Sequence, residues 1–285
     1  MTARHRTIAI IQARFASSRL PGKVLLDIGG QPMLSRVVER ARRAETLDGV
    51  LVATTTDPAD DPVEALCRAR DYDCYRGSLH DVLDRYYQAA RLAGAEVVVR
   101  LTADCPVLDP GLVDELARAF LGPEGEHPFP YDFAANRLPP PWGRTYPIGL
   151  DVEACTFAAL ERAWREAGQL HQREHVMPYL YEDARSRHYA SLEQRRQDES
   201  LPPGFFRVLH LQHEPDYGHL RWTVDTPEDL ELARQIYARF PGRDDFTWRE
   251  ILALFEREPD LAQMNAGIEH RTHLNVDERA GKDPR

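Results

Sequence analysis

Arg14, Ser17, Ser18, Arg19 and Lys23 crowd ten consecutive positions near the start of this sequence. That density of cations and hydroxyls suits anionic oxygens, which loop amides and guanidinium groups both prefer. The flanking residues fit the same chemistry. Residues 8–11 are an apolar, β-branched run predicting a buried strand, and Pro21-Gly22 is turn chemistry that brings backbone close to a ligand. After Gly29-Gly30, apolar Met33, Leu34, Val37, Val38 and Ala41 recur at helical spacing. Strand, basic loop and helix in that order predict a phosphate-gripping element. The only lysines are Lys23 and Lys282; elsewhere the chain uses arginine. A compact ammonium on a flexible stem can reach a phosphoryl oxygen as a point charge, as a planar guanidinium cannot. The loop is not a Walker A, because Ser17 and Val24 stand where that motif needs glycine and a hydroxyl residue, and no Gly-x-Gly-x-x-Gly fingerprint occurs.

Two aspartates carry the other half of the chemistry. Asp104 follows a predicted strand at 97–101 and precedes Cys105-Pro106, while Asp225 follows a predicted strand at 221–224 and precedes Thr226-Pro227. Two such carboxylates could hold Mg²⁺, which favours oxygen ligands and substrate phosphates. Equally, Asp104 could make a turn and Asp225 cap a helix. His171-Gln172-Arg173-Glu174-His175 matches an inverted zinc-protease pattern, but no third acidic ligand accompanies it, so Arg173, Glu174 and His175 are expected to line a pocket or subunit contact. Cys105 lies beside a carboxylate that raises its pKa, which favours a buried small residue over a nucleophile.

The elements that must position these groups alternate. Strands are predicted at 50–54, around 73–76 and at 96–101, with helices at 62–70, 79–92 and 110–120. That rhythm predicts βαβ units and a largely parallel sheet, with ligands beyond the carboxyl ends of its strands. It breaks after Gly122. Residues 123–147 are proline-rich around one short strand near 131–135, and 149–183 hold two helical patterns. Residues 123–215 are therefore expected to be an insertion that caps the sheet, binds a second substrate or makes a dimer contact, inside a single domain spanning 1–266. Strands return at 205–211 and 220–224, helices at 227–240 and 247–255, and a loose tail is expected over 267–285.

At 285 residues and 42% hydrophobic content, the chain has material for one large α/β domain. It offers no apolar run of membrane-spanning length and no signal core, so a cytoplasmic protein without a membrane partner is expected. Cys67, Cys74, Cys105 and Cys155 form no Cys-x-x-Cys pair and are expected to be reduced. The net charge of −10 argues against nucleic-acid binding. Residues 1–43 nevertheless hold nine basic and two acidic side chains, +7 against −17 for the remainder. A local basic site on an acidic protein suits a small polyanion.

The run Ile11-Gln12-Ala13-Arg14-Phe15-Ala16-Ser17-Ser18-Arg19-Leu20-Pro21-Gly22-Lys23 resembles the signature loop of the cytidylyltransferases. These include the acylneuraminate and CMP-Kdo synthetases, and the chain is most similar to the spore coat polysaccharide biosynthesis protein F group. Further matches in consistent order are Arg76-Gly77-Ser78, Asp81 to Tyr87, Arg100 to Pro106, Gly149 to Glu153, Arg173 to Val176 and Leu220 to Leu230. Phe15-Ala16 departs from the pattern, where a smaller residue often precedes the serine. The resemblance implies a Rossmann-like nucleotide-diphospho-sugar transferase fold, a mostly parallel sheet flanked by helices. It implies CTP as co-substrate, Mg²⁺, a sugar acid or related acceptor, and a homodimer. Arg14, Ser17, Arg19 and Lys23 would grip the triphosphate, with Arg14, Arg19 and Lys23 catalytic. Ala13 and Thr102 would lie near the base, Arg76, Ser78 and Arg100 would also serve the nucleotide, and Asp104 and Asp225 would hold the metal. Asn136, Asp151, Glu153, Arg173 and His175 are the candidates for the acceptor. A glycosyltransferase of the same fold type is the alternative, with Asp71-Tyr72-Asp73 as its Asp-x-Asp motif.

Overall fold

The computed structural model describes residues 5–122, 129–182, 185–198 and 201–268. The first half of the chain builds the predicted βαβ units. Strand β1 (Thr7–Gln12) is followed by the basic loop, a 3-10 turn at Lys23–Leu25, a small hairpin of β2 (Asp27–Ile28) and β3 (Gln31–Pro32), and helix α1 (Met33–Ala41). Then come β4 (Gly49–Thr55), α2 (Asp61–Ala69), β5 (Asp73–Gly77), α3 (Val82–Ala93), β6 (Val97–Thr102) and α4 (Pro110–Leu121). Helix α3 begins three residues later than predicted, because the Asp81 side chain caps it by accepting from Asp84 N.

The second half extends the same sheet. It contributes β7 (Phe133–Ala135), β8 (Glu153–Thr156), β9 (Ser186–Tyr189) and β10 (Phe206–His210), with α5 (Phe157–Glu166), α6 (Leu170–His175), α7 (Pro178–Glu182) and α8 (Leu192–Gln197) between them. The eight strands run in the order β5-β4-β1-β6-β8-β7-β10-β9. Every pairing is parallel except the two that β8 makes with β6 and β7. Residues predicted as an insertion thus add strands to one edge of the sheet. The second helical pattern is broken where Val176 adopts φ +72° and Pro178 begins α7 without an amide to donate. Helices α9 (Pro227–Arg239), α10 (Trp248–Arg257) and α11 (Asp260–Gln263) close the described chain, and the expected tail lies outside it beyond residue 268.

Two apolar layers sandwich the sheet. One gathers Ile11, Val37 and Ile251 on the side of α1, α4, α9 and α10; the other gathers Ile10, Tyr86 and Leu160 on the side of α3 and α5. Alternation along β1 sends Ile10 and Ile11 to opposite faces, so the strand is buried on both, as parallel strands are. Among the described residues, no helix is long and apolar enough to cross a membrane.

Residues 220–224, predicted as a strand, are not one. Arg221 makes a single parallel bridge to Ile148, whose carbonyl accepts from both Trp222 N and Thr223 N. The pairing stops because Gly149 turns away at φ +105°, so close that a Cβ there would sit 2.5 Å from Thr223 N. Only glycine permits that approach.

Candidate active site

The basic loop leaves the carboxyl end of β1 and is tied down by a residue that sequence reasoning missed. Asp60 is 2% exposed and accepts from Phe15 N at 2.6 Å, from Thr55 N at 3.1 Å and from the Thr55 hydroxyl. One buried carboxylate therefore fixes the start of the loop to the end of β4. The available signal was its place in Asp57-Pro58-Ala59-Asp60, just after a strand. Further along, Gly22 at φ +69° donates to Phe15 O at 2.9 Å, and the Phe15 ring lies 3.0 Å from where a Gly22 Cβ would be. Phe15, the departure from the family pattern, thus packs over the glycine that closes the loop.

That closure delivers Lys23 to the centre of the site. Its ammonium donates to Asp104 Oδ2 at 3.0 Å, Asp225 Oδ1 at 2.8 Å and Val224 O at 2.8 Å, and the residue is 9% exposed. Burial works against its charge, yet the two carboxylates hold the Lys23 pKa above its ordinary value. Burial likewise opposes ionisation of Asp104 and Asp225, but Lys23 leaves both below the usual carboxylate range, helped by Thr102 at Asp104 and Arg19 at Asp225. Thr102 Oγ1 donates to Asp104 Oδ1 at 2.6 Å. Beside it, burial foremost and then the Asp104 carboxylate raise the Cys105 thiol well above its usual value, as expected of an inert cysteine.

Asp225 reaches this point through a loop, not a strand. Val224 N donates to Asp104 O at 2.8 Å, sewing the two segments together. Arg221, also absent from the sequence candidates, donates to Asp225 Oδ2 at 2.9 Å and pairs with the fully buried Asp229 side chain. Asp229 completes a capping box with Thr226 at the start of α9. Arg19 Nη2 adds a further contact to Asp225 Oδ2 at 2.9 Å. Thr226 is therefore the helix cap, and Asp225 is left facing the basic loop.

Two cavities meet at this cluster. One, of about 220 Å³, is lined by the loop residues Arg14, Ser17, Arg19 and Lys23 together with Gln12 and Thr102. The other, of about 140 Å³, is lined by Arg100, Arg137, Asp151, Glu153 and Thr223. Thr102, Asp104 and Asp225 belong to both walls. Arg100 pairs with Glu153, and Arg144 holds Asp151 at 2.8 Å. The carboxylates of this second cavity are thus already oriented.

Other predicted site residues lie elsewhere. Ala13 is 1% exposed and hydrogen-bonds to Ala53 beneath the loop. Arg76 is spent on Thr55 O, Asp57 O, Asp61 and Glu64, and Ser78 Oγ accepts from Asp81 N ahead of α3. Asn136 is fully buried, donating to Leu150 O at 2.7 Å and accepting from Val152 N at 2.9 Å, so it braces the backbone under the second cavity. Arg173 pairs with the α3 cap Asp81 and donates to Trp164 O, tying α6 to α3 and α5. Neither Arg173 nor His175 lines either cavity. Helical spacing brought these residues to attention, but it does not report which face of α6 meets the site. His171 bonds Glu182 at 2.7 Å, and no group of three or more metal-ligating side chains is assembled among the described residues. Asp73 of the Asp-x-Asp match opens β5, at the end remote from the site.

The donor set nonetheless suits a divalent cation. Asp104 Oδ2 and Asp225 Oδ1 converge within 3.0 Å of one positive nitrogen, and hard oxygen pairs of this kind hold Mg²⁺ alongside substrate phosphates.

Comparison with known proteins places this arrangement. Residues 8–239 match a family model described as cytidylyltransferase. The spore coat polysaccharide biosynthesis protein SpsF of Bacillus subtilis is 31% identical over 257 residues, covering 89% of this chain and 95% of the relative. A 3-deoxy-manno-octulosonate cytidylyltransferase of Anaeromyxobacter is 31% identical over 247 residues, covering 83% and 98%. A solved cytidylyltransferase of Leptospira borgpetersenii superposes with a TM-score of 0.76 at 28% identity, covering 93% of this chain and all of that one.

Proposed function

This chain belongs to the cytidylyltransferase family, and from that premise we propose that it transfers CMP from CTP to a sugar acid or related acceptor, releasing pyrophosphate, as a cytoplasmic homodimer serving surface polysaccharide or glycan synthesis. The observation that carries this reading is the Lys23 ammonium standing between Asp104 and Asp225 where the two cavities share a wall. The loop cavity takes the nucleotide and the second takes the acceptor. The acceptor hydroxyl attacks the α-phosphorus in line and gives up its proton to water, a new O–P bond forms, and the bond to the pyrophosphate oxygen breaks with its electron pair leaving on pyrophosphate. The chain forms no covalent bond to substrate; it positions the reactants and neutralises charge. Arg14, Arg19 and Lys23 offset the charge gathering on the leaving pyrophosphate. Lys23 can serve there because its flexible stem already lines the nucleotide cavity. Asp104 and Asp225 would hold Mg²⁺, which when bound supplies neutralising charge to phosphate oxygens. Thr102 orients the Asp104 carboxylate through its 2.6 Å hydrogen bond.

The test is pyrophosphate release, measured with each nucleoside triphosphate against a panel of sugar acids. Release is expected only with CTP plus an acceptor. Lys23→Ala and Asp104→Asn should each lower turnover by orders of magnitude while circular dichroism stays native, and near-wild-type release from either variant rejects the assignment. Appearance of free nucleoside diphosphate from a nucleotide sugar would instead establish a glycosyltransferase.

A further inference from the structure

The charges lining the second cavity pair off with one exception. Glu153 is matched by Arg100, Asp151 by Arg144, and Asp104 and Asp225 by Lys23. Arg137 remains. It lines the cavity beside these groups, yet among the described residues its guanidinium has no hydrogen bond and no ion pair. Its backbone is held firmly all the same. Arg137 bridges Arg144 in antiparallel register, Leu138 N donates to Gly143 O at 3.0 Å, and the neighbouring Asn136 is locked to Leu150 and Val152. A fixed mount under an uncommitted, partly buried guanidinium is an anion receptor, since the planar fork of arginine matches the two oxygens of a carboxylate.

We propose that Arg137 is the specificity-determining residue of the acceptor cavity, gripping the anionic group of a polyhydroxylated acid while Asp151 and Glu153 accept hydrogen bonds from its hydroxyls. The proposal rests on the cytidylyltransfer reading above and names what selects the second substrate. Apart from a charge interaction with the Tyr181 phenol, Arg137 supports no other side chain among the described residues, so its replacement should leave the fold alone. The pre-paired carboxylates explain why a single cation suffices: every one of them already faces a counter-charge, Asp104 and Asp225 sharing Lys23, and among the described residues none is paired with Arg137. A neutral sugar of the same shape would leave the guanidinium desolvated and unsatisfied, which disfavours it.

The experiment compares wild type, Arg137→Met and Arg137→Lys for pyrophosphate release from CTP. The acceptors are 3-deoxy-manno-octulosonate, N-acetylneuraminate and simple aldonic acids, each paired with its uncharged carboxamide. Wild type should use an acid in preference to its carboxamide. Arg137→Met should raise the acceptor KM about 10- to 100-fold, the loss of one charge-assisted fork. Its KM for CTP and its melting temperature should stay at wild-type values, and Arg137→Lys should recover part of the acceptor affinity. An unchanged acid KM in Arg137→Met, or a wild type that prefers carboxamides, overturns the proposal while leaving cytidylyltransfer intact. No release from CTP with any acid or carboxamide overturns the transferase reading itself, and the Arg137 assignment with it.

Discussion

Replacing Lys23 with methionine keeps the aliphatic stem and removes the charge between two carboxylates. Asp225 retains Arg19 and Arg221, each at 2.9 Å, but among the described residues Asp104 keeps only uncharged donors, chiefly the Thr102 hydroxyl at 2.6 Å and the Cys105 thiol at 3.6 Å. The orphaned charge is therefore at Asp104, whose side chain is 27% exposed. A fully buried broken pair costs about 3–5 kcal/mol and an exposed one under about 1. Partial exposure puts Lys23→Met between them, at about 2–3 kcal/mol, or on the order of 3–5 °C in melting temperature for a chain of this size. The pH dependence follows from the directions of the shifts. The carboxyls are depressed from 3.8, so their contribution is full above that value and fades as pH falls through the folded-state pKa values. Lys23 is raised from 10.5, so its contribution is full below that value and fades as pH climbs through the folded-state pKa. The deficit of the variant should accordingly be widest from about pH 4 to 10 and close in acid. On the proposed reading, Mg²⁺ should fill the place of the ammonium. At a concentration a hundredfold above its dissociation constant it would restore about 2.7 kcal/mol, close to the whole deficit. Urea denaturation of both proteins at pH 3 and 7, with and without Mg²⁺, measures all of this. Equal stabilities at pH 7, or a deficit as large at pH 3 as at pH 7, would refute the reasoning.

Three other perturbations probe the scaffold around the site. Asp60→Ala strands the Phe15 and Thr55 donors, so it should cost about 2–3 kcal/mol and raise the KM for CTP; a stability loss with unaltered CTP kinetics would confine Asp60 to the fold. Glu153→Gln leaves the Arg100 guanidinium without its counter-charge and should destabilise by about 3 kcal/mol in urea, with the acceptor KM moving more than that of CTP. Gly149→Ala would place a methyl 2.5 Å from Thr223 N and 2.7 Å from Trp222 C at φ +105°, separating the Ile148–Arg221 bridge at a cost of about 3 kcal/mol or more; an unshifted melting curve would show the contact can relax.

Much of the site was legible because its parts are local. The strand-loop-helix order around Lys23 is written in short-range periodicity and turn residues, and the β–α alternation over residues 50–120 is written the same way. Errors arose where a partner lies far off in sequence. Residues 220–224 have the apolar composition of a strand, but strand pairing needs a neighbour longer than Ile148 and the turning Gly149 provide. Arg76 and Arg173 resemble anion-binding cations until the fold surrounds them with Asp61, Glu64 and Asp81. Asp60 and Arg137 escaped notice for the converse reason: aspartate after a turn and arginine in a loop are commonplace.

The sequence by itself determined which groups could do the chemistry: one of its two lysines placed after Pro-Gly, two aspartates before short loops, and enough ordered motifs to fix the family. Whether the aspartates were turn-makers or partners of that lysine was beyond it. Tertiary structure decided this by bringing Asp225 to Lys23 across 202 residues and by sewing Val224 to Asp104. The physical reason is range. Periodicity and propensity act over a few residues, whereas a buried charge takes its meaning from whichever counter-charges the packed sheet sets within about 3 Å of it.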